Sequence, residues 1–411
     1  MKNILILFLL YCLFLSSCSI KNDKRHKEEI NNQFISETEK IIEEKDQIPT
    51  ININKEYEYK EIELNKLADI TYVPIETNNN VLINDNISAL SHISDKYIII
   101  VNYINYNCYI FDKNGKIINY FNHRGNGANE YLNILGMTVD ENKKEIYIID
   151  HPQKYRIMVY SFNGEFVRKL SLPANITLGT IHNFDEKNLL CEDNNYRVGN
   201  KNPYILLSKQ TGNIVECLDI QFNEERISPR FYQKTGSKGV IAVSYGYTPI
   251  IRCNDDFIIG DISQDTIYKY CTNKTLTPLL VRNPPIHTQE SQTMVIPELK
   301  IPGMFFLEMT KREFNFETKQ GFDRKKIVYD YKTGLFYEYV LKNKDYPDQS
   351  FYLNSAGYAY IKENNTICQF IPSHELVEAN KGQKVYGNLK NIAETLKADD
   401  NPVLMIAKFR D

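Results

Sequence analysis

Residues 123–151 read HRGNGANEYLNILGMTVDENKKEIYIIDH. They bring together residue types that do chemistry: His123, Arg124, Glu130, Asp150 and His151. Imidazoles move protons near neutral pH, a guanidinium recognises carboxylates and phosphates, and a carboxylate acts as base or cation partner. The close glycines Gly125 and Gly127 also suggest a phosphate cradle. Such a loop needs a following Lys-Ser/Thr pair and a helix whose N-terminus faces the anion. An alternating, strand-like run follows here instead, so the glycines read as turn formers. Asp150 closes the run EIYIID, and Asn102, Asp193 and Asp261 close similar runs elsewhere. An acidic or amide residue that recurs in this way is turn chemistry, because its side chain bonds the backbone two residues on. His123, Arg124, Glu130 and His151 have no counterparts and are the candidate ligand-binding residues. Their plain alternative is a Glu130–Arg124 pair across one loop, worth little if exposed, beside two solvated histidines.

Other chemistries find less support. The seven histidines show no HxxxH or HExxH spacing and the cysteines form no close pair, so no metal site is expected. A DxDxDG-type calcium loop and a GxSxG nucleophile elbow are both absent from the sequence. The serine in AVSYGY (242–247) has no activating neighbour. Glycan cleavage needs two facing carboxylates, but with 52 acidic residues some pair always fits. No cofactor is expected. A net charge of −3 gives no basic face for nucleic acid.

The elements that must position these residues repeat along the chain. NCYIFDKNGKIINYF (107–121), RIMVYSFNGEFVRKL (156–170), YILLSKQTGNIVECL (204–218) and KKIVYDYKTGLFYEYV (325–340) are each strand, polar turn with glycine, strand. DTIYKYCTNKTLTPLLV (265–281) is a looser copy with Asn273 in the turn. The turn glycines are Gly115, Gly164, Gly212 and Gly334, and a further strand precedes each hairpin. Units of roughly 50 residues with four strands each are propeller blades. The expected fold is an all-β, six-bladed β-propeller of four-stranded blades over residues 51–411. ADITYVPIE (68–76) should pair with NPVLMIAKF (401–409) to close the ring and remove two edges. NLKNIAETLK (388–397) should form a small helix capped by Asn388, with Leu389, Ile392, Ala393 and Leu396 on one face.

Within this frame RGNGANEY, ILGMTVDENKKEIYIID and RIMVYSFNGEF together resemble an NHL-type propeller repeat. YVPIET (72–77), GNGANEY (125–131), DTIY (265–268) and LKADDNPVLMIAKF (396–409) resemble the six-bladed β-propeller lipoproteins common in Bacteroidetes. That family usually carries a proline in its glycine loop, where Ala128 or Asn129 stands here. The resemblance implies fold and envelope location. NHL-type propellers include a lyase, so it also allows catalysis.

The amino-terminal residues fit that location. Lys2 precedes an apolar run, Ile4 to Leu15, which is too short to span a bilayer and suited to a signal-peptide core. Leu15-Ser16-Ser17-Cys18 resembles the bacterial lipobox, which implies a signal peptide over 1–17 and lipidation at Cys18. Ser19 resembles outer-membrane sorting signals. Residues 18–50 are charge-dense and read as a flexible tether. The remaining cysteines fall mostly in apolar runs and read as small buried hydrophobes rather than disulfides. The expected function is non-enzymatic: an outer-membrane-anchored lipoprotein, facing the periplasm or the outside, that binds a ligand, a glycan or an envelope protein. The alternative is a propeller hydrolase or lyase acting on a glycan or peptide. Residues 283–304, NPPIHTQESQTMVIPELKIPGM, are the expected partner loop, unless they pack as an inner strand.

Overall fold

The computed structural model describes residues 48–83, 89–102, 105–151, 155–195, 202–235, 239–351, 353, 362–363 and 365–410. The signal peptide, Cys18 and nearly all of the tether expected over 18–50 lie outside them. Six antiparallel sheets form a six-bladed β-propeller. Blade 1 comprises Ala89–Ile93, Tyr97–Asn102, Cys108–Asp112 and Ile117–Phe121. Blade 2 comprises Gly136–Asp140, Glu145–Asp150, Arg156–Ser161 and Phe166–Ser171. Blade 3 comprises Leu178–Asn183, Asn188–Asp193, Tyr204–Ser208 and Ile214–Cys217. Blade 4 comprises Ile250–Cys253, Asp256–Ile259, Thr266–Tyr270 and Leu276–Asn283. Blade 5 comprises Thr293–Ile301, Met304–Lys311, Arg324–Asp330 and Leu335–Lys342. Blade 6 joins Lys362–Glu363, Thr366–Ile371 and Val403–Phe409 to the amino-terminal strand Ala68–Pro74. That strand pairs antiparallel with Val403–Phe409 from Ala68↔Phe409 to Pro74↔Val403, closing the ring as expected.

Burial explains the sequence patterns. The second strands, such as YIIIVN and EIYIID, are apolar throughout because neighbouring blades cover both faces. Outer strands alternate, with one face packed and one in water. Each of the six seams between blades has its own apolar core. The seam from blade 6 to blade 1 joins Val73, Phe370 and Leu404 to Ile98, Ile100 and Phe111. Cys108, Cys191 and Cys368 are fully buried as free thiols.

The hairpin glycines do two jobs. Gly115, Gly164 and Gly212 have φ of 78°, 82° and 78°. Each also faces the outer strand of the preceding blade, and a Cβ on Gly164 would lie 2.9 Å from the Cβ of Phe121. Gly164→Ala combines positive-φ strain with this clash, for an expected loss of about 1–3 kcal/mol. Thermal unfolding checks it, and an unchanged midpoint refutes the close packing.

Four features go beyond the sequence reading. Thr50–Asn52 pairs in parallel with the outer strand of blade 4, and Tyr59–Glu63 pairs in parallel with the outer strand of blade 5. The chain thus belts two blades before entering the third. A hairpin of Arg230–Thr235 and Gly239–Ser244 is inserted between blades 3 and 4. A smaller hairpin, Phe314–Asn315 with Gln320–Gly321, is inserted in blade 5. Blade 6 carries two helices, Ser373–Lys381 and Gly387–Thr395. The second is the expected helix and buries Leu389 and Ala393, but Tyr386 occupies its cap and no side chain bonds there.

Residues 283–304 follow the inner-strand reading rather than the partner-loop one. Thr293–Ile301 within them is the innermost strand of blade 5 and is mostly buried. Pro297 suits that place, because an innermost strand pairs on one side only.

Candidate functional site

In an antiparallel blade, the connections from second to third strand open on the same face as the connections between blades. His123, Arg124, Glu130 and His151 all lie on connections of this face, yet their side chains serve separate local roles. The His123 ring stacks on Tyr160 at 5.0 Å, and its Nε2 donates to the Gly164 carbonyl at 2.5 Å. It therefore fills the outer seam between blades 1 and 2. The Arg124 guanidinium lies over the Tyr106 ring at 4.0 Å. The Glu130 carboxylate turns back to accept the Gly127 N–H at 2.7 Å rather than reaching Arg124. A Cβ on Gly125 would overlap that carboxylate, so the loop closes around it. His151 is exposed and stacks on Tyr155 at 4.3 Å.

The acids that close the second strands behave as turn anchors. Asp150, fully buried, accepts the N–H groups of Leu132 and Asn133 at 3.1 and 2.9 Å and the Arg156 guanidinium at 2.7 Å. Asp193 accepts the Thr177 N–H at 2.9 Å, and Asp261 accepts that of Ser263 at 2.8 Å. Asp150 and Asp193 hold backbone that enters their blades on this face, and Asp261 holds the connection between the second and third strands of blade 4.

The feature that rises from the face is the pair of inserted hairpins. They meet through Phe231 and Tyr245 of one and Phe322 beside the other, with ring centroids 5.6 and 5.1 Å apart. Arg312 lies over Phe231 at 4.7 Å and donates to the Ser228 carbonyl at 3.0 Å. Between them opens a cleft of roughly 750 Å³ lined by Gln233, Phe314, Phe316 and Asn315 and by the carboxylates of Glu313, Glu317 and Asp323. Tyr232 and Val240, both more than 60% exposed, stand on the larger hairpin, with Ile241 about half exposed.

Two buried charge clusters hold this face. In blade 5, Lys326 Nζ bridges Glu298 and Glu308 at 2.7 and 2.6 Å, and both carboxylates are fully buried. Tyr339 donates to Glu298 at 3.2 Å, while Tyr245 donates to Glu308 and so ties the base of the larger hairpin to the blade. Between blades 3 and 4, Arg226 reaches Asp261 at 2.8 Å and Glu192 at 3.1 Å, and Tyr204 donates to Asp261 at 2.8 Å. Burial is the largest influence on the Glu192 carboxyl. Its pKa is pushed up to about 7, against the pull of Arg226 and with the repulsion of Asp261 added.

None of these cluster residues was a sequence candidate. Their one local signal is a carboxylate inside an apolar strand, as in LLCED, VIPELKI and FFLEMT. Among the described residues, no group of three or more His, Cys, Asp and Glu is placed to hold a metal ion. Among them, no helix is long and apolar enough to cross a membrane.

The family model for a domain of unknown function (DUF4934) matches residues 48–408, and the chain belongs to this family. No curated protein matches the sequence. A Bacteroides fragilis structure described as an exported protein aligns at a TM-score of 0.61 with 16% identity, covering 89% of this chain and all of its own. That likeness supports the fold. A member of the DUF4221 family from Bacteroides vulgatus aligns at 0.46 with 11% identity, covering 84% of this chain and 97% of its own. Virginiamycin B lyase from Staphylococcus aureus aligns at 0.39 with 11% identity, covering 83% and 99%.

Proposed function

We propose that this DUF4934 protein is a non-enzymatic binding module of the bacterial cell envelope, held to the outer membrane by lipid on Cys18. Its hairpin-bearing face holds an envelope protein or a glycan. The observation that carries the reading is the exposed apolar set on the larger hairpin beside an open, carboxylate-rimmed cleft. The larger hairpin presents exposed Tyr232, Val240 and Ile241 beside an open cleft. The charged groups beneath are enclosed and bonded to one another, with Glu192, Glu298 and Glu308 all buried. A binding face needs exposed aromatic and apolar anchors with a polar rim, and Glu313, Glu317 and Asp323 supply that rim around the cleft. The charged stretch after Cys18 suits a tether between membrane and propeller, and several acyl chains together make a stable anchor.

The test is crosslinking in intact cells with Cys18 kept, comparing the natural chain with a Tyr232→Ser, Val240→Ser, Ile241→Ser variant. The expected result is one recurrent envelope partner, or one glycan, captured by the natural chain and lost from the variant at unchanged thermal stability. Equal capture by both proteins refutes the hairpin face as the binding surface. Separately, Cys18→Ala should release the protein from the membrane fraction, and retention there refutes the lipid anchor.

A further inference from the structure

The rim of the propeller is treated in two different ways around the ring. Blades 4 and 5 each receive a parallel fifth strand from the belt. Where the outer strand of blade 4 extends beyond it, Thr277 and Pro278 are the exposed residues. Blade 6 exposes Asp69 and Thr71 on its outer strand, and Asp69 pairs with Arg410. These are the ordinary ways of blunting a strand edge: cover, proline and charge.

Among the described residues, the outer strands of blades 1 to 3 have no covering strand, and their charge is confined to Arg168, Lys169 and Glu216, with Glu216 paired to Lys274. These strands, Ile117–Phe121, Phe166–Ser171 and Ile214–Cys217, pair on one side only among the described residues. They contain no proline, so no backbone donor is missing from them. Ile118, Tyr120, Val167, Ile214 and Val215 on these strands are 42–55% exposed. One lysine, Lys169, interrupts this apolar series on its exposed side.

The belt supplies the pattern of what such an edge accepts. Ile51 and Ile53 are buried while Asn52 and Asn54 between and beside them are exposed. Main-chain ladder bonds hold the added strand, and alternate apolar side chains anchor it.

We propose that the uncovered rim of blades 1 to 3 is a strand-addition surface. It takes an extended segment of a partner polypeptide, with β-branched apolar residues at alternate positions, as a parallel fifth strand. The partner occupies three of the four blade edges that the chain's own belt leaves uncovered among the described residues. This surface is separate from the hairpin face.

The probe is a fluorescein-labelled peptide of residues 50–63, TININKEYEYKEIE, added to the full chain. Anisotropy should show saturable binding, with hydrogen exchange slowed in 117–121, 166–171 and 214–217. An Ile118→Lys, Val167→Lys, Val215→Lys chain should bind at least about tenfold more weakly. A peptide with Ile51→Asn and Ile53→Asn should lose binding to the natural chain, which keeps the test decisive if the lysine variant folds poorly. The Tyr232→Ser, Val240→Ser, Ile241→Ser chain should bind the peptide as the natural chain does, so failure at the hairpins and failure at the rim are separable. Absence of saturable binding, equal binding by the asparagine peptide, or protection at the hairpin or at blades 4 and 5 overturns the proposal.

Discussion

Lys326→Met is expected to lower stability by about 3–5 kcal/mol, because it leaves two buried carboxylates without their shared cation. Glu298 and Glu308 are both fully buried, and Lys326 is the ammonium within hydrogen-bonding distance of each. Arg324 lies farther from Glu308, at 4.0 Å. The loss should reach beyond blade 5. Tyr245 donates to Glu308 at the foot of the larger hairpin, and Arg324 lies over its ring at 5.0 Å. A two-stranded hairpin is marginal by itself, so hydrogen exchange in Gly239–Ser244 should quicken with the mutation. Adding Glu298→Gln and Glu308→Gln should restore most of the stability, since the uncompensated charge is then gone. Denaturant unfolding measures all three chains. A loss of less than about 1 kcal/mol, the ordinary worth of an exposed pair, shows that the cluster is not a clamp.

Arg226→Met is expected to be of similar size, about 3–5 kcal/mol, by the same charge argument. Glu192 and Asp261 are both buried and share this guanidinium, so two negative charges face one positive charge. Burial of the Glu192 carboxyl, with the repulsion of Asp261 added and against the pull of Arg226, pushes its pKa up to about 7. The sign of the pH effect follows. The folded chain holds this proton more tightly than the unfolded chain, whose glutamates titrate near 4.3. The stabilisation is therefore full below that value and disappears as pH rises through about 7. Glu192→Gln removes the dependence. It should raise the thermal midpoint at pH about 8, by avoiding the cost of the buried charge, and leave it nearly unchanged at pH about 4. Melting curves across that range decide the matter, and parallel profiles for the two proteins refute the titration. Asp261 keeps Arg226 paired in the natural chain and in the Glu192→Gln chain alike, so the substitution does not strand the arginine.

The propeller itself was legible in the sequence because a blade is made of local signals. Alternation in YIIIVN and IINYF, hairpin turns at Gly115, Gly164 and Gly212, and their regular spacing each lie within a few residues. Even the long-range pairing of Ala68–Pro74 with Val403–Phe409 could be anticipated, since two unpaired strands at the ends of a ring must meet. Asp150, Asp193 and Asp261 could likewise be recognised as turn anchors from their recurrence. The belt strand Thr50–Asn52 could not. Three residues carry no periodicity, and their partners Val281–Asn283 are far along the chain. Residues 283–304 left both readings open because Pro284-Pro285 and the polar stretch after them imitate a loop, while an innermost strand tolerates Pro297.

The unrepeated residues His123, Arg124, Glu130 and His151 stood out as unusual, but spacing along a loop does not say where side chains point. Tertiary structure directs His123 into a seam, Arg124 onto a tyrosine and Glu130 back onto its own backbone. The face with hairpins and buried charge was decided in the same way. Arg226, Glu192 and Asp261 come from three separate segments, and Tyr245, Glu308 and Lys326 from three more. Sequence periodicity specifies how each strand lies in its sheet, because that depends on neighbours two residues away. Which charges meet depends on how the ring closes, and only the packed blades determine that.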